Sequence, residues 1–173
     1  MNGRKEVCCV HKAGVMIMGD GCFVDTCREV AKKYTEINYV EKQVDTMSMK
    51  LTRTPQKVDM MVMPNLYGDI ISDLCAGLIG GLGLTSSANI GKDCAVYEAV
   101  HGPAPDIAGK NLANPTALLL SACMMLNDMG FTSESQRVQG AVFKVIEEGV
   151  WTTKDIGGKS MTIDYTKAII DNL

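Results

Sequence analysis

The chain has 173 residues, the length of about one ordinary domain. With 46% apolar and 21% charged residues it has the composition of a folded globular protein, which excludes a disordered or low-complexity chain. Its net charge of −3, from 17 basic and 20 acidic residues, gives none of the basic excess that nucleic-acid phosphates call for.

The apolar run Val7, Cys8, Cys9, Val10 predicts a strand over residues 5–11. Residues 20–34 read as a helix whose buried face carries Phe23, Cys27, Val30 and Ala31 at three-and-four spacing. A strand over 37–44 and a short helix over 45–51 follow, bounded by Pro55. Residues 58–63 form a nearly continuous apolar run with one early Asp59, which predicts a strand covered on both faces. A helix is expected from about 67 to 79. Strand and helix alternating three times is the pattern of a layered α/β sheet.

The Gly-, Ser- and Asn-rich stretch 80–91 is the best internal boundary. A strand over 94–100 leads into a loop over 101–110 that holds Gly102, Pro103, Pro105 and Gly109. Asn114 then suits an N-cap and Pro115 the first position of a helix that stops near Gly130. Further helices are expected over 133–148 and 164–172. No GxGxxG follows a strand, so a Rossmann dinucleotide site is not supported.

The longest strongly apolar stretch, residues 117–126, is interrupted by Ser121 and is shorter than the ~20 residues of a bilayer span. Seven cysteines without a CxxC pair argue against structural zinc and for reduced, buried thiols in a reducing compartment. The start, MNGRKEVCCV, reads as neither a secretory signal nor a transit peptide.

The sharpest chemical feature is Asp69 and Asp73, four apart and therefore on one helix face. Apolar Ile70, Ile71, Leu74 and Cys75 around them predict a covered helix, in which two carboxylates repel unless a cation lies between them. Oxygen ligands of this kind suit Mg²⁺ or Mn²⁺. The plain alternative is a solvated first helical turn in which the helix dipole favours Asp69. Lys12 at a strand tip is either a surface charge or an acid/base group. The loop 101–109 either moulds around a flat ligand or simply connects.

These segments together resemble a known family. Asn65-Leu66-Tyr67-Gly68-Asp69-Ile70-Ile71-Ser72-Asp73 is similar to the metal-binding signature of the β-decarboxylating dehydrogenases, which include isocitrate and isopropylmalate dehydrogenases. The loop 101–109 with Asn114-Pro115-Thr116 resembles their cofactor signature, and Val10-His11-Lys12-Ala13 their catalytic-lysine motif. Order and separation agree. The stretch Leu74-Cys75-Ala76-Gly77-Leu78-Ile79-Gly80-Gly81 leans toward the NAD-dependent isocitrate dehydrogenase branch.

The resemblance implies the family's own α/β fold, not a Rossmann fold, and present here incompletely. Residues 1–79 would belong to the small, dimer-forming domain and 80–173 to the large, cofactor-binding domain. It implies NAD-dependent oxidation of isocitrate to 2-oxoglutarate and CO2 in the mitochondrial matrix, with a divalent metal ion and homologous subunits as partners. Position by position, Asp69 and Asp73 match metal ligands, and Asp45 a third carboxylate supplied to the neighbouring subunit. Lys12 matches the lysine that assists proton transfer across the dimer interface. His101, Gly102, Ala104, Asp106, Ile107 and Asn114 match contacts to the adenosine half of NAD, with Asp106 reading the ribose hydroxyls and repelling a 2′-phosphate.

Retention of both Asp69 and Asp73 resembles a catalytic rather than a regulatory subunit. Gly14 stands where the family usually has Asn, and Pro103 where it has Thr or Ser. The match covers only the C-terminal half of the family's length, so the chain reads as a fragment. The substrate-binding arginines and serine and the catalytic tyrosine would lie in the other half. Isopropylmalate or homoisocitrate oxidation, a non-catalytic subunit that binds a full-length partner, and an inert partial product are the alternatives.

Overall fold

Val7, Cys8, Cys9 and Val10 lie in the middle of a parallel sheet. In the computed structural model, which describes residues 3–173, they belong to β1 (Glu6–His11). β1 pairs with β2 (Asn38–Gln43) over six positions, from Glu6 opposite Asn38 to His11 opposite Gln43. On its other edge it pairs with β3 (Met60–Val62), giving the order β2-β1-β3. Parallel neighbours need crossovers. α1 (Gly19–Ala31) connects β1 to its neighbour β2, and α2 (Val44–Arg53) lies on the path from β2 past β1 to β3. α3 (Asn65–Ile79) follows β3.

Both faces of β1 are buried, which is why its residues are apolar without alternation. Cys8 and Val10 pack with Met47 and Leu51 of α2 and Ile71 of α3. Cys9, fully buried, points the other way, beside Tyr39 and Cys27 of α1. Burial pushes the Cys9 thiol up to about 12, with Cys27 adding to the rise and the Tyr39 hydrogen bond opposing it, so it stays protonated. Arg28 of α1 grips Glu41 of β2 with both ends of its guanidinium, at 2.7 and 2.8 Å.

The buried residues of α1 are Asp20 and Val24. Val30 is exposed and lines an apolar cavity of about 280 Å³ with Val7, Cys27, Tyr34 and Tyr39. The run 58–63 yields a strand of only three residues, and Met60 and Val62 are exposed. As an edge strand it has one covered face, reached by Met61. Cysteines are not uniformly buried either: all seven are free thiols, yet Cys22 and Cys94 are exposed.

Asp59, the odd charge in that run, has a structural use. It accepts the Lys5 and Glu6 backbone N–H groups at 2.8 and 3.1 Å and pairs with Arg4 at 2.7 Å. The Arg4 guanidinium and these amides hold its carboxyl at about 2, below the ordinary 3.8. A depressed folded-state pKa means that its contribution is complete above about 4 and is lost as pH falls through about 2. Urea unfolding between pH 5 and 2 should therefore show a smaller loss of stability in Asp59→Asn than in the unaltered chain. Parallel curves for the two would show that Asp59 contributes nothing.

The chain divides into two compact units, Met1–Leu78 and Ile79–Leu173. The second begins with a hairpin of β4 (Ser86–Ile90) and β5 (Ala95–Ala99), antiparallel from Ser86 opposite Ala99 to Ile90 opposite Ala95. β4 falls within the stretch read as a boundary; Ser86, Ser87 and Asn89 conceal it. Its helices are α4 (Thr116–Asp128), α5 (Thr132–Glu148) and α6 (Thr162–Ile170). Ser121 of α4 donates to the Glu98 carbonyl at 2.6 Å and accepts the Ser87 N–H at 3.2 Å, so α4 is fastened to both strands. Ala141, Val142 and Val145 of α5 pack on Tyr165, Ala168 and Ile169 of α6. The buried Tyr165 hydroxyl meets Thr116 Oγ1 at 2.7 Å, which satisfies both groups. Gly130, at φ +87°, makes the left-handed turn between α4 and α5. No helix among the described residues is long and apolar enough to cross a membrane.

Candidate active-site elements

β1 delivers Lys12 at its C-terminal end, where parallel strands usually present functional groups. Its Nζ donates to Asp45 Oδ2 at 2.7 Å and to Gln43 Oε1 at 2.9 Å. Gln43 ends β2 and Asp45 lies in the first turn of α2, so sheet register and helix start together bring the three side chains to one point. The Lys12 ammonium lowers the pKa of Asp45, helped by the Thr46 N–H at 3.0 Å. Lys12 is mostly covered while Asp45 is open, at 26% and 63% side-chain exposure. The cation is thus aimed and still reachable.

Behind Lys12 lies a group that the sequence reading missed. Asp20, only 8% exposed, accepts the Lys12 backbone N–H at 2.6 Å. An Asp at a helix start reads as a favourable charge at the dipole, which hides any further use.

α3 carries Asp69 and Asp73 one turn apart, both exposed. The helix starts at Asn65, two residues earlier than expected, so Asp69 sits in its second turn. The expected full cover is also wrong. Ile71 and Ala76 are buried, while Leu66 and Ile70 are exposed beside the carboxylates. Asn65 Nδ2 reaches Asp69 Oδ2 at 3.4 Å, and neither aspartate has a cationic partner among the described residues. No group of three metal-ligating side chains forms among them, and Asp45 is engaged with Lys12. Two exposed, unneutralised carboxylates fit part of an oxygen ligand set for a hard divalent ion, with remaining positions for other ligands.

In the second unit the loop after β5 is open. His101 Nδ1 lies 3.0 Å from the Gly102 carbonyl, and Pro105–Ile107 make one 3₁₀ turn that presents Asp106 to solvent. Ala104 is held left-handed at φ 42°, an uncommon state for a residue with a Cβ. Nothing lies within 4 Å of a Cβ built on Gly102. Asn114 differs from its neighbours in being 7% exposed. Its Oδ1 accepts the Thr116 N–H at 3.0 Å, the capping bond expected from sequence, although α4 is assigned from Thr116 with Pro115 preceding it. Its Nδ2 donates to Asp155 Oδ2 at 2.9 Å. Both ends of the side-chain amide are therefore committed to the fold. Asp155, also missed in the sequence, lies so near Gly83 that an added Cβ there would come within 2.8 Å of it.

The sequence pattern described as isocitrate/isopropylmalate dehydrogenase matches residues 1–173. The chain belongs to the isocitrate/isopropylmalate dehydrogenase family. It is 57% identical over 173 residues to the mitochondrial catalytic subunit 5 of isocitrate dehydrogenase [NAD] of Arabidopsis thaliana, covering 99% of this chain and 46% of that one. It is 53% identical to a mitochondrial regulatory subunit of isocitrate dehydrogenase [NAD] of Dictyostelium discoideum, with 99% and 49% covered. The crystal structure of isocitrate dehydrogenase from Methylococcus capsulatus superposes with a TM-score of 0.91 at 45% identity, covering 98% of this chain and 50% of that one. The family's non-Rossmann α/β fold is thus confirmed, and the chain spans about half the length of the curated relatives it matches. Within the isocitrate/isopropylmalate dehydrogenase family, similarity alone does not separate catalytic from regulatory subunits.

Proposed function

We propose that the chain serves NAD-dependent oxidative decarboxylation of isocitrate to 2-oxoglutarate and CO2 in the mitochondrial matrix. It does so together with the remaining half of the family fold and a homologous subunit. The observation that carries this reading is the Asp69–Asp73 pair, exposed and without a cation on α3. A regulatory role gives no reason to keep two mutually repelling carboxylates there.

Lys12, fixed by Asp45 and Gln43, presents an N–H to a substrate oxygen or carbon and handles the proton that moves there. Asp69 and Asp73 of one subunit, with Asp45 of its neighbour, would hold Mg²⁺ or Mn²⁺. The metal supplies positive charge that polarises the substrate's oxygens when bound. Asp106 accepts hydrogen bonds from the ribose hydroxyls of NAD and repels a 2′-phosphate. His101, Gly102, Ala104 and Ile107 shape the adenosine contact. Asn114 contributes through its backbone, because its side chain is already engaged.

The test is NADH formation by the native assembly with isocitrate, isopropylmalate or homoisocitrate, each with NAD or NADP. Metal-dependent activity on isocitrate with NAD is expected; preference for another acid, or for NADP, would overturn the assignment. A second reading, a non-catalytic subunit bound to a full-length homologue, is favoured by exposed Leu66, Ile70 and Leu78 on α3. Co-purification with a full-length subunit that keeps its activity when Asp73 is replaced in this chain would select it.

A further inference from the structure

Asp20 is a buried carboxylate without a cationic partner among the described residues. Such a group is costly to bury unless hydrogen bonds satisfy it, so its partners show what it is there to hold. It accepts the backbone N–H of Lys12, at 2.6 Å. The carbonyl of the same residue accepts the Val15 and Met16 N–H groups, each at 2.8 Å. The Lys12 backbone is therefore held on both sides.

We propose that Asp20 is a positioning residue that fixes the Lys12 backbone so that the ammonium meets Asp45 and Gln43. The proposal rests on the proton-handling role given to Lys12 above. It goes beyond that role in naming what aims the lysine. A lysine has four rotatable side-chain bonds, so a backbone free to shift by an ångström spreads the position of Nζ. A displacement of that size at a catalytic group costs up to about a hundredfold in rate.

Two substitutions separate positioning from mere stability. Asp20→Ala removes the acceptor, whereas Asp20→Asn keeps an oxygen for the Lys12 N–H and removes only the charge. In the native assembly Asp20→Ala should lower kcat about tenfold to a hundredfold. KM for NAD should not change, and Asp20→Asn should retain most of the activity. In the chain itself, hydrogen exchange at the Lys12 amide should become fast in Asp20→Ala and stay slow in Asp20→Asn.

A folded Asp20→Ala with wild-type kcat or a protected Lys12 amide would overturn the proposal, as would Asp20→Asn losing as much activity as Asp20→Ala. Should Asp20→Ala not fold, a Lys12 amide that exchanges fast in the unaltered chain overturns the proposal. An unaltered assembly that oxidises no isocitrate defeats the functional reading instead, while the exchange data still decide what Asp20 holds.

Discussion

Replacing Asp73 by Asn in the assembled dehydrogenase should lower kcat for isocitrate at least about a hundredfold, since a metal acting on substrate oxygens supplies several kcal/mol. Asp73 is exposed on α3, clear of the packed face formed by Ile71 and Ala76, so the substitution leaves the core intact. It also removes one of two like charges one turn apart. Thermal unfolding should therefore be unchanged or slightly later, and a loss of activity cannot be assigned to misfolding. Asp69→Asn should behave alike, and the concentration of Mg²⁺ giving half-maximal rate should rise in both. Activity and metal dependence equal to those of the unaltered enzyme would remove the metal role from this pair and shift weight to the non-catalytic reading.

How far such sites were legible depended on whether their chemistry is contiguous in the chain. Asp69 and Asp73 share a helix face by spacing alone, and Lys12 follows an apolar run that reads as a strand. Asn114 before Pro115 announced a helix start, and its side chain caps as expected. What the pattern did not give was cover. Leu66 and Ile70 are apolar and yet exposed, because periodicity marks a residue as apolar without naming what lies against it.

The strand over 58–63 shrank for a related reason: pairing with β1 on one edge supports only Met60–Val62. β4 was hidden for the opposite reason. Ser86, Ser87, Ala88 and Asn89 have no strand-like alternation, and the hairpin register with β5 and the Ser121 hydroxyl hold them extended. Asp20 and Asp155 act across 8 and 41 residues of chain, at closures that only the folded molecule makes.

The same contrast bears on Lys12, which is both a motif residue and the centre of a built contact. Lys12→Met should lower kcat by about a hundredfold to ten-thousandfold, the usual worth of a positioned acid or base. Charge pairing alone is a competing account, since the ammonium also neutralises Asp45, whose pKa it lowers. Lys12→Arg decides between them. A guanidinium pairs with Asp45 and Gln43 as well as an ammonium does, but it does not give up its proton near neutral pH.

If Lys12 moves a proton, the arginine variant should be nearly as slow as the methionine variant. Asp45 should remain depressed in the arginine variant and rise toward its ordinary value in the methionine one. If Lys12 serves only to pair charge, the arginine variant should recover most of the rate. Single-turnover measurement of NADH formation and CO2 release adds the point of failure. Hydride transfer that survives while product release of CO2 and the final protonation slow would place the lysine's proton late in the reaction. Equal slowing of both would place it at the substrate hydroxyl.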